Sequence, residues 1–156
     1  MARTAKKNQR GLIETPDKNL IDPNRIVSVI RLGQLFILLD KKGKAISYTE
    51  LNADKQGKTG ADADDCTSKI IESSKTNPFL SFGNSNYVRC SAIEAIENSS
   101  GPEYKGLIIR GEGDAILAFL AITNAEKREL AVSILHAAIE SYESSKFTQP
   151  DLAGIL

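Results

Sequence analysis

The run RIVSVIRLGQLFILLDKKGKAISYTEL, residues 25–51, leaves this chain few ways to fold. Arg25 to Arg31 alternates apolar and polar positions and is rich in β-branched residues, the pattern of a strand with one buried face. Gly33 breaks it. Leu35–Leu39 is a continuous apolar run, as expected for a strand covered on both faces. Gly43 then supplies a turn residue free to take positive φ. Ala45 to Leu51 alternates again, with Ile46, Tyr48 and Glu50 on one face and Ser47 and Thr49 on the other. Three strands joined by short turns form an antiparallel meander, whose apolar face needs a cover.

The rest of the chain supplies candidates for that cover. Gly11 to Pro16 reads as a short edge strand, since proline confines it to an edge or an end, and Asp22-Pro23-Asn24 as a turn. The loop NADKQGKTGA, residues 52–61, precedes a helix at about 63–75. Its first turn carries Asp62, Asp64 and Asp65, and Asn77-Pro78 stops it. Phe79 to Phe82 opens a second half. Tyr87 to Glu97 and Leu107 to Arg110 read as strands, Gly111 to Asp114 as a hairpin turn, and Ala115 to Ile122 as a returning strand. Thr123-Asn124-Ala125-Glu126 has the spacing of a capping box with Thr123 as the cap. Leu130, Ile134, Leu135, Ala138, Ile139 and Tyr142 then recur at helical spacing as far as about Ser144.

Two stretches are alike: LIDPNRIVSVI (20–30) and YVRCSAIEAI (87–96) both read apolar, a gap, then an isoleucine with a β-branched apolar residue three places on, Ile26 and Val29 in one, Ile93 and Ile96 in the other. The expected fold is therefore α+β. Antiparallel sheet is built from two β-rich units, each of four short strands closed by a helix, and the second helix is long and amphipathic. The units span about 11–76 and 77–144 of one domain, 11–144, between a basic arm at 1–10 and a polar, mobile tail at 145–156. Ala131, Ala137 and Ala138 would let the last helix pack closely against a copy, so a homo-oligomer with Ile134, Ala138 and Ile139 at the contact is expected.

At 156 residues, 41% hydrophobic and 26% charged, the chain has the composition of one globular domain rather than of a disordered segment. No apolar run is long enough to span a membrane, and the basic N-terminus is followed by no apolar stretch of a secretory leader. Cys66 and Cys90 stand apart from each other and from any histidine cluster, so both are expected to be reduced and structural. The location is expected to be cytoplasmic, or a virion if the chain comes from a phage.

Catalysis needs a nucleophile, a base and a group to orient them, and no such set can be read here. The one histidine, His136, falls beside the apolar stripe of the last helix. Asp62-Ala63-Asp64-Asp65 lacks the calcium-loop glycine and the closing glutamate, with Thr67 and Ser73 in their places. Gly111 and Gly113 are followed by neither a third glycine nor a helix, so they do not form a dinucleotide loop. No enzyme activity, no metal and no cofactor are expected.

Charge carries the stronger signal. The net charge is zero, but residues 1–58 hold 12 Lys and Arg against 6 Asp and Glu, and residues 59–156 hold 8 against 14. Lys41, Lys42 and Lys44 share one hairpin tip, Arg25 and Arg31 flank the neighbouring strand, Lys55 and Lys58 lie in the next loop, and Lys6, Lys7 and Arg10 in the arm. Such cations bind phosphates as point charges, and single-strand binders add aromatics on which bases stack. Tyr48 is the first choice for stacking, with Phe36, Phe79, Phe82 and Tyr87 as further candidates that suit a core equally well. The same charge division also suits halves that meet electrostatically, within one chain or head to tail between subunits.

The quartet Lys42-Gly43-Lys44-Ala45 resembles the Lys-Gly-Lys-Ala motif of the Whirly and PC4-like single-strand-binding fold. Ile122-Thr123-Asn124-Ala125-Glu126 is similar to the start of that family's final helix. The resemblance implies two packed units, oligomerisation through helices, and Lys42 and Lys44 as nucleic-acid contacts. The quartet lies on a later hairpin than in the family, and the family's aromatic-rich helix end is missing. The expected function is a non-enzymatic, homo-oligomeric binder of single-stranded nucleic acid through Lys41, Lys42, Lys44, Tyr48, Arg25 and Arg31. The alternatives are an assembly protein, for example of a phage particle, with neighbours gripped by arm and tail, or a module that sequesters a small nucleotide.

Overall fold

Hairpin, meander, helix is the order of elements, and it occurs twice. The computed structural model describes residues 11–52 and 56–156. The first unit comprises β1 (Ile13–Glu14), β2 (Leu20–Ile21), a 3-10 turn at Pro23–Arg25, β3 (Ser28–Leu32), β4 (Leu35–Leu39), β5 (Ala45–Glu50) and α1 (Gly60–Glu72). The second comprises β6 (Phe79–Gly83), β7 (Asn86–Arg89), a 3-10 turn at Cys90–Ala92, β8 (Ala95–Ser100), β9 (Lys105–Arg110), β10 (Ile116–Ala121) and α2 (Ala125–Glu143). The fold is α+β and every strand pairing is antiparallel.

The two units match in register as well as in order. In the hairpins Ile13 faces Ile21 and Glu14 faces Leu20, as Leu80 faces Val88 and Ser81 faces Tyr87. In the meanders Val29 faces Leu38 and Ile37 faces Tyr48, as Ile96 faces Ile109 and Ile108 faces Phe119. Even the irregularity recurs: the register slips between Leu38 and Leu39 in one, and between Ile116 and Ala118 in the other. One constant offset along the chain carries Ile13, Ile21, Ile26 and Val29 onto Leu80, Val88, Ile93 and Ile96. It is the offset that aligns the two similar stretches, 20–30 and 87–96.

Each unit has its own core. Ile21, Ile26, Val29, Phe36, Leu38, Cys66 and Ile70 form the first, with Phe79 added from the second unit. Val88, Leu107, Ile109, Leu120, Ala131 and Leu135 belong to the second, with Val27 added from the first. The units are joined by one sheet, of order β5-β4-β3-β7-β6, in which the second unit's hairpin adds to the edge of the first unit's meander. The other meander, β10-β9-β8, and the hairpin β1-β2 remain separate sheets.

Arg89 locks the junction between the units. Its side chain is buried, only 3% exposed, and donates from Nε and Nη2 to the Ile26 carbonyl, from Nη2 to the Pro23 carbonyl and from Nη1 to the Asn77 carbonyl. Its guanidinium also lies 4.2 Å from the centre of the Phe79 ring. Burial pulls the Arg89 pKa below its ordinary value, against a weak opposing effect of Cys90.

Several expectations need correction. Each unit has five strands rather than four, because the hairpins are separate elements. Arg25 belongs to the turn before β3, and the reading of Tyr87 to Glu97 as one strand fails at the 3-10 turn Cys90–Ala92. Helix α1 starts earlier than expected, because Thr59 caps it: its hydroxyl accepts from the Asp62 amide while the Asp62 carboxylate accepts from the Thr59 amide. The cap of α2 is Asn124, which accepts from the Lys127 amide, and not Thr123. Of the expected stripe on α2, Leu135 and Ala138 turn inward but Leu130 faces solvent, and Arg128 and Ala131, outside that stripe, are buried as well.

The tail is also not free. Leu152 and Ile155 are buried in the second core, and Phe147 packs edge-on against Tyr142. The Gln149 amide donates to the Phe79 carbonyl at 2.7 Å and accepts from the Ser81 amide at 2.9 Å. The chain itself holds its last residues against β6. The arm at 1–10, with Lys6, Lys7 and Arg10, lies outside the described residues, as does Lys55.

Candidate nucleic-acid interface

A cleft of about 640 Å³ opens at the seam between the two units. One wall comes from the first unit: Asn24, Arg25 and Val27 beside the 3-10 turn, and Asp40, Lys41, Lys42 and Lys44 at the β4–β5 tip. The facing wall comes from the second: Asn77, Arg89, Ser91, Ala92, Glu94 and Glu112. Four of the six expected nucleic-acid contacts, Arg25, Lys41, Lys42 and Lys44, thus meet in one place although the turn and the tip are separate in sequence.

The tip is held through its backbone, and among the described residues its ammonium groups form no ion pair. The Asp40 carboxylate accepts from the Lys42 amide at 2.8 Å and from the Lys44 amide at 3.0 Å, and the Asp40 carbonyl accepts from the Gly43 amide. Desolvation would raise the Asp40 pKa, but these amides and the nearby Lys44 and Lys42 charges outweigh it and hold the carboxyl below its ordinary value. Gly43 has φ of 76° and sits against the second unit; a Cβ there would lie 2.8 Å from the Ile116 carbonyl oxygen. A left-handed residue in such close contact has to be glycine. The lysine tip is therefore pinned to the start of β10.

The local charge is mixed. Arg89 is engaged by carbonyls and Asp40 by amides, which leaves Arg25, Lys41, Lys42 and Lys44 against Glu94 and Glu112. Among the described residues, none of those four cations forms an ion pair, and no ion pair joins residues 11–76 to 77–156. Lys58 pairs with Asp17 of its own unit at 3.4 Å.

The structure leaves two expected site residues outside the cleft. Arg31 donates from Nη1 to Asp64 of α1 at 2.8 Å and packs inside the first unit. Tyr48 is 51% exposed, on the outward face of β5, opposite Ile37. Phe36, Phe79 and Phe82 are fully buried core residues and offer no face to a base. The aromatic that sequence reasoning missed is Phe119, 56% exposed on β10 and in edge contact with Tyr104. Phe119 occupies the position in the second meander that Tyr48 occupies in the first, opposite Ile108 as Tyr48 is opposite Ile37. Both aromatics lie on strands that start at the cleft: β5 follows Lys44, and β10 begins at Ile116 against Gly43.

The expected oligomer contacts fall on the chain's own core. Ala138 is buried there, and Ile134 and Ile139 are half-buried against the same cluster. His136 is exposed beside Glu140 on α2, at 3.7 Å. Cys66 and Cys90 are buried free thiols, each pushed up to about 11 chiefly by desolvation. Among the described residues, no group of three or more His, Cys, Asp or Glu is placed to hold a metal ion, and no helix is long and apolar enough to cross a membrane. Comparison of the chain with protein families, with curated proteins and with solved structures finds no match.

Proposed function

We propose that the protein is a non-enzymatic binder of single-stranded nucleic acid, with the cleft between its units as the phosphate-binding surface. The observation that carries this reading is the convergence of Arg25, Lys41, Lys42 and Lys44, without ion-pair partners among the described residues, on one open cleft. Ammonium groups on the tip and the guanidinium on the neighbouring turn attract a polyanion irrespective of its sequence. Tyr48 and Phe119 then offer exposed rings to bases along the two strands that start at the cleft. Glu94 and Glu112 limit the affinity and favour a flexible strand, which can approach the basic wall and avoid the acidic one. The Lys42-Gly43-Lys44-Ala45 similarity to the Whirly and PC4-like motif points to the same ligand.

The test is binding of a fluorescent single-stranded oligonucleotide, followed by anisotropy at several salt concentrations. Reversal of Lys41, Lys42 and Lys44 to glutamate is expected to weaken binding to all sequences about equally. The dependence of log affinity on log salt should become shallower by about 2, at roughly 0.7 for each phosphate that is no longer neutralised. Unchanged binding by the triple variant would overturn the assignment. One observation favours assembly with copies as a second reading: among the described residues, strand β8 ends its sheet with an unpaired edge.

A further inference from the structure

We infer that the free edge of β8 accepts the β1-β2 hairpin of a second copy of this chain, so that copies join head to tail. The equivalence of the two units carries this, independently of nucleic-acid binding. Within one chain, β3 of the first unit is completed by β7 of the second, with Ser28 opposite Val88 and Val29 opposite Tyr87. The counterpart of β3 is β8, which among the described residues pairs only with β9, and the counterpart of β7 is β2, which among them pairs only with β1. Each chain thus makes one such junction and carries both halves of another, unmet among the described residues. Transferred to these counterparts, the register places Ala95 opposite Ile21 and Ile96 opposite Leu20.

Side chains support the same pairing. At the internal junction, Phe79 fills the first core and Tyr87 packs partly against it, beside Ile26, Val29, Cys66 and Ile70. At the counterpart place there is instead a groove of about 350 Å³ between the β8 edge and α2, with Ile93, Ile96, Val132 and Ile139 along it. The counterparts of Phe79 and Tyr87 are Leu12 and Leu20. Leu20 is 53% exposed and so is available to a neighbour. The groove lacks an apolar plug and the hairpin carries one.

The match departs at charged groups, and His136 and Glu143 of α2 also line the groove. Asp22 and Glu94 stand where Arg89 and Val27 stand, so the intermolecular junction lacks the guanidinium and brings two carboxylates together. It should be weaker than the internal junction and reversible. Because the two surfaces differ, the contact is heterologous and yields closed rings or open chains rather than an isologous pair.

The experiment uses the full chain. Sedimentation over a wide concentration range should show reversible association that Leu20→Glu or Ile96→Glu abolishes, while circular dichroism of each variant stays unaltered. Mixing Leu20→Cys with Ile96→Cys under mild oxidation should give a disulfide-linked heterodimer, and the double variant a ladder of higher species. Native Cys66 and Cys90 are buried and will not interfere. A mass of one chain at every concentration, with no cross-linking in the mixture, would overturn the inference. So would an Ile96→Cys variant that links only to itself, since that shows two β8 edges pairing about a two-fold axis.

Discussion

Arg89→Met should be among the most damaging single substitutions in this chain. Methionine keeps an unbranched apolar stem beside Phe79 and removes the guanidinium. The Ile26 carbonyl then loses both of its arginine donors, and the Asn77 carbonyl loses one. A buried carbonyl left without a partner costs about 1–3 kcal/mol. Loss of the cation over the Phe79 ring adds about 1 kcal/mol. Relief from keeping a charge in a buried place, the same effect that lowers the Arg89 pKa, offsets part of this. The net loss is about 2–4 kcal/mol. Urea unfolding followed by circular dichroism measures it, and with a slope of roughly 2 kcal/mol/M the midpoint falls by about 1–2 M. A loss below about 1 kcal/mol would refute the view that Arg89 locks the two units together.

Three further predictions concern the cores. Cys66 and Cys90, buried and raised to about 11 from an ordinary 9.0, should resist a thiol reagent at pH 8 in the folded protein and react at once in denaturant. Their folded pKa values lie above the unfolded ones, so the associated stability is complete below pH 9.0 and is lost as pH rises towards 11; a urea series from pH 8 to 11 reads this decline. Leu152→Ala should cost about 2–5 kcal/mol by thermal or urea unfolding, because the residue is part of the second core; an unaltered stability would return the tail to a passive extension.

The strands of the first meander, and β9 and β10 of the second, were readable from sequence because alternation and glycine turns repeat over enough residues to outweigh chance, whereas β8 was merged with β7 across the 3-10 turn Cys90–Ala92. Of the hairpin β1-β2 only the first strand was read, within Gly11 to Pro16; two residues per strand carry no period, and pairing across Thr15–Asn19 defines the rest. The likeness of Leu20–Ile30 to Tyr87–Ile96 was visible, yet its meaning lies in strand registers that only the fold displays. The lysine tip could be found because Gly43 marks the turn, whereas its pairing in space with Arg25 depends on how β3 and β4 align. Arg31 and Arg25 look equivalent as flanking cations. Asp64 of α1 separates them by engaging one and not the other. Leu152 and Ile155 sit among polar and small residues, and nothing local reveals that β6 receives them.

The most direct test of the cleft as the ligand surface is an amide chemical-shift titration of the protein with a short single-stranded oligonucleotide at low salt. Shifts should be largest at Arg25, Lys41, Lys42 and Lys44, extend to Tyr48 and Phe119, and disappear as salt is raised. Shifts confined to other surfaces, such as the outer face of α1, or none at low salt, would contradict the account.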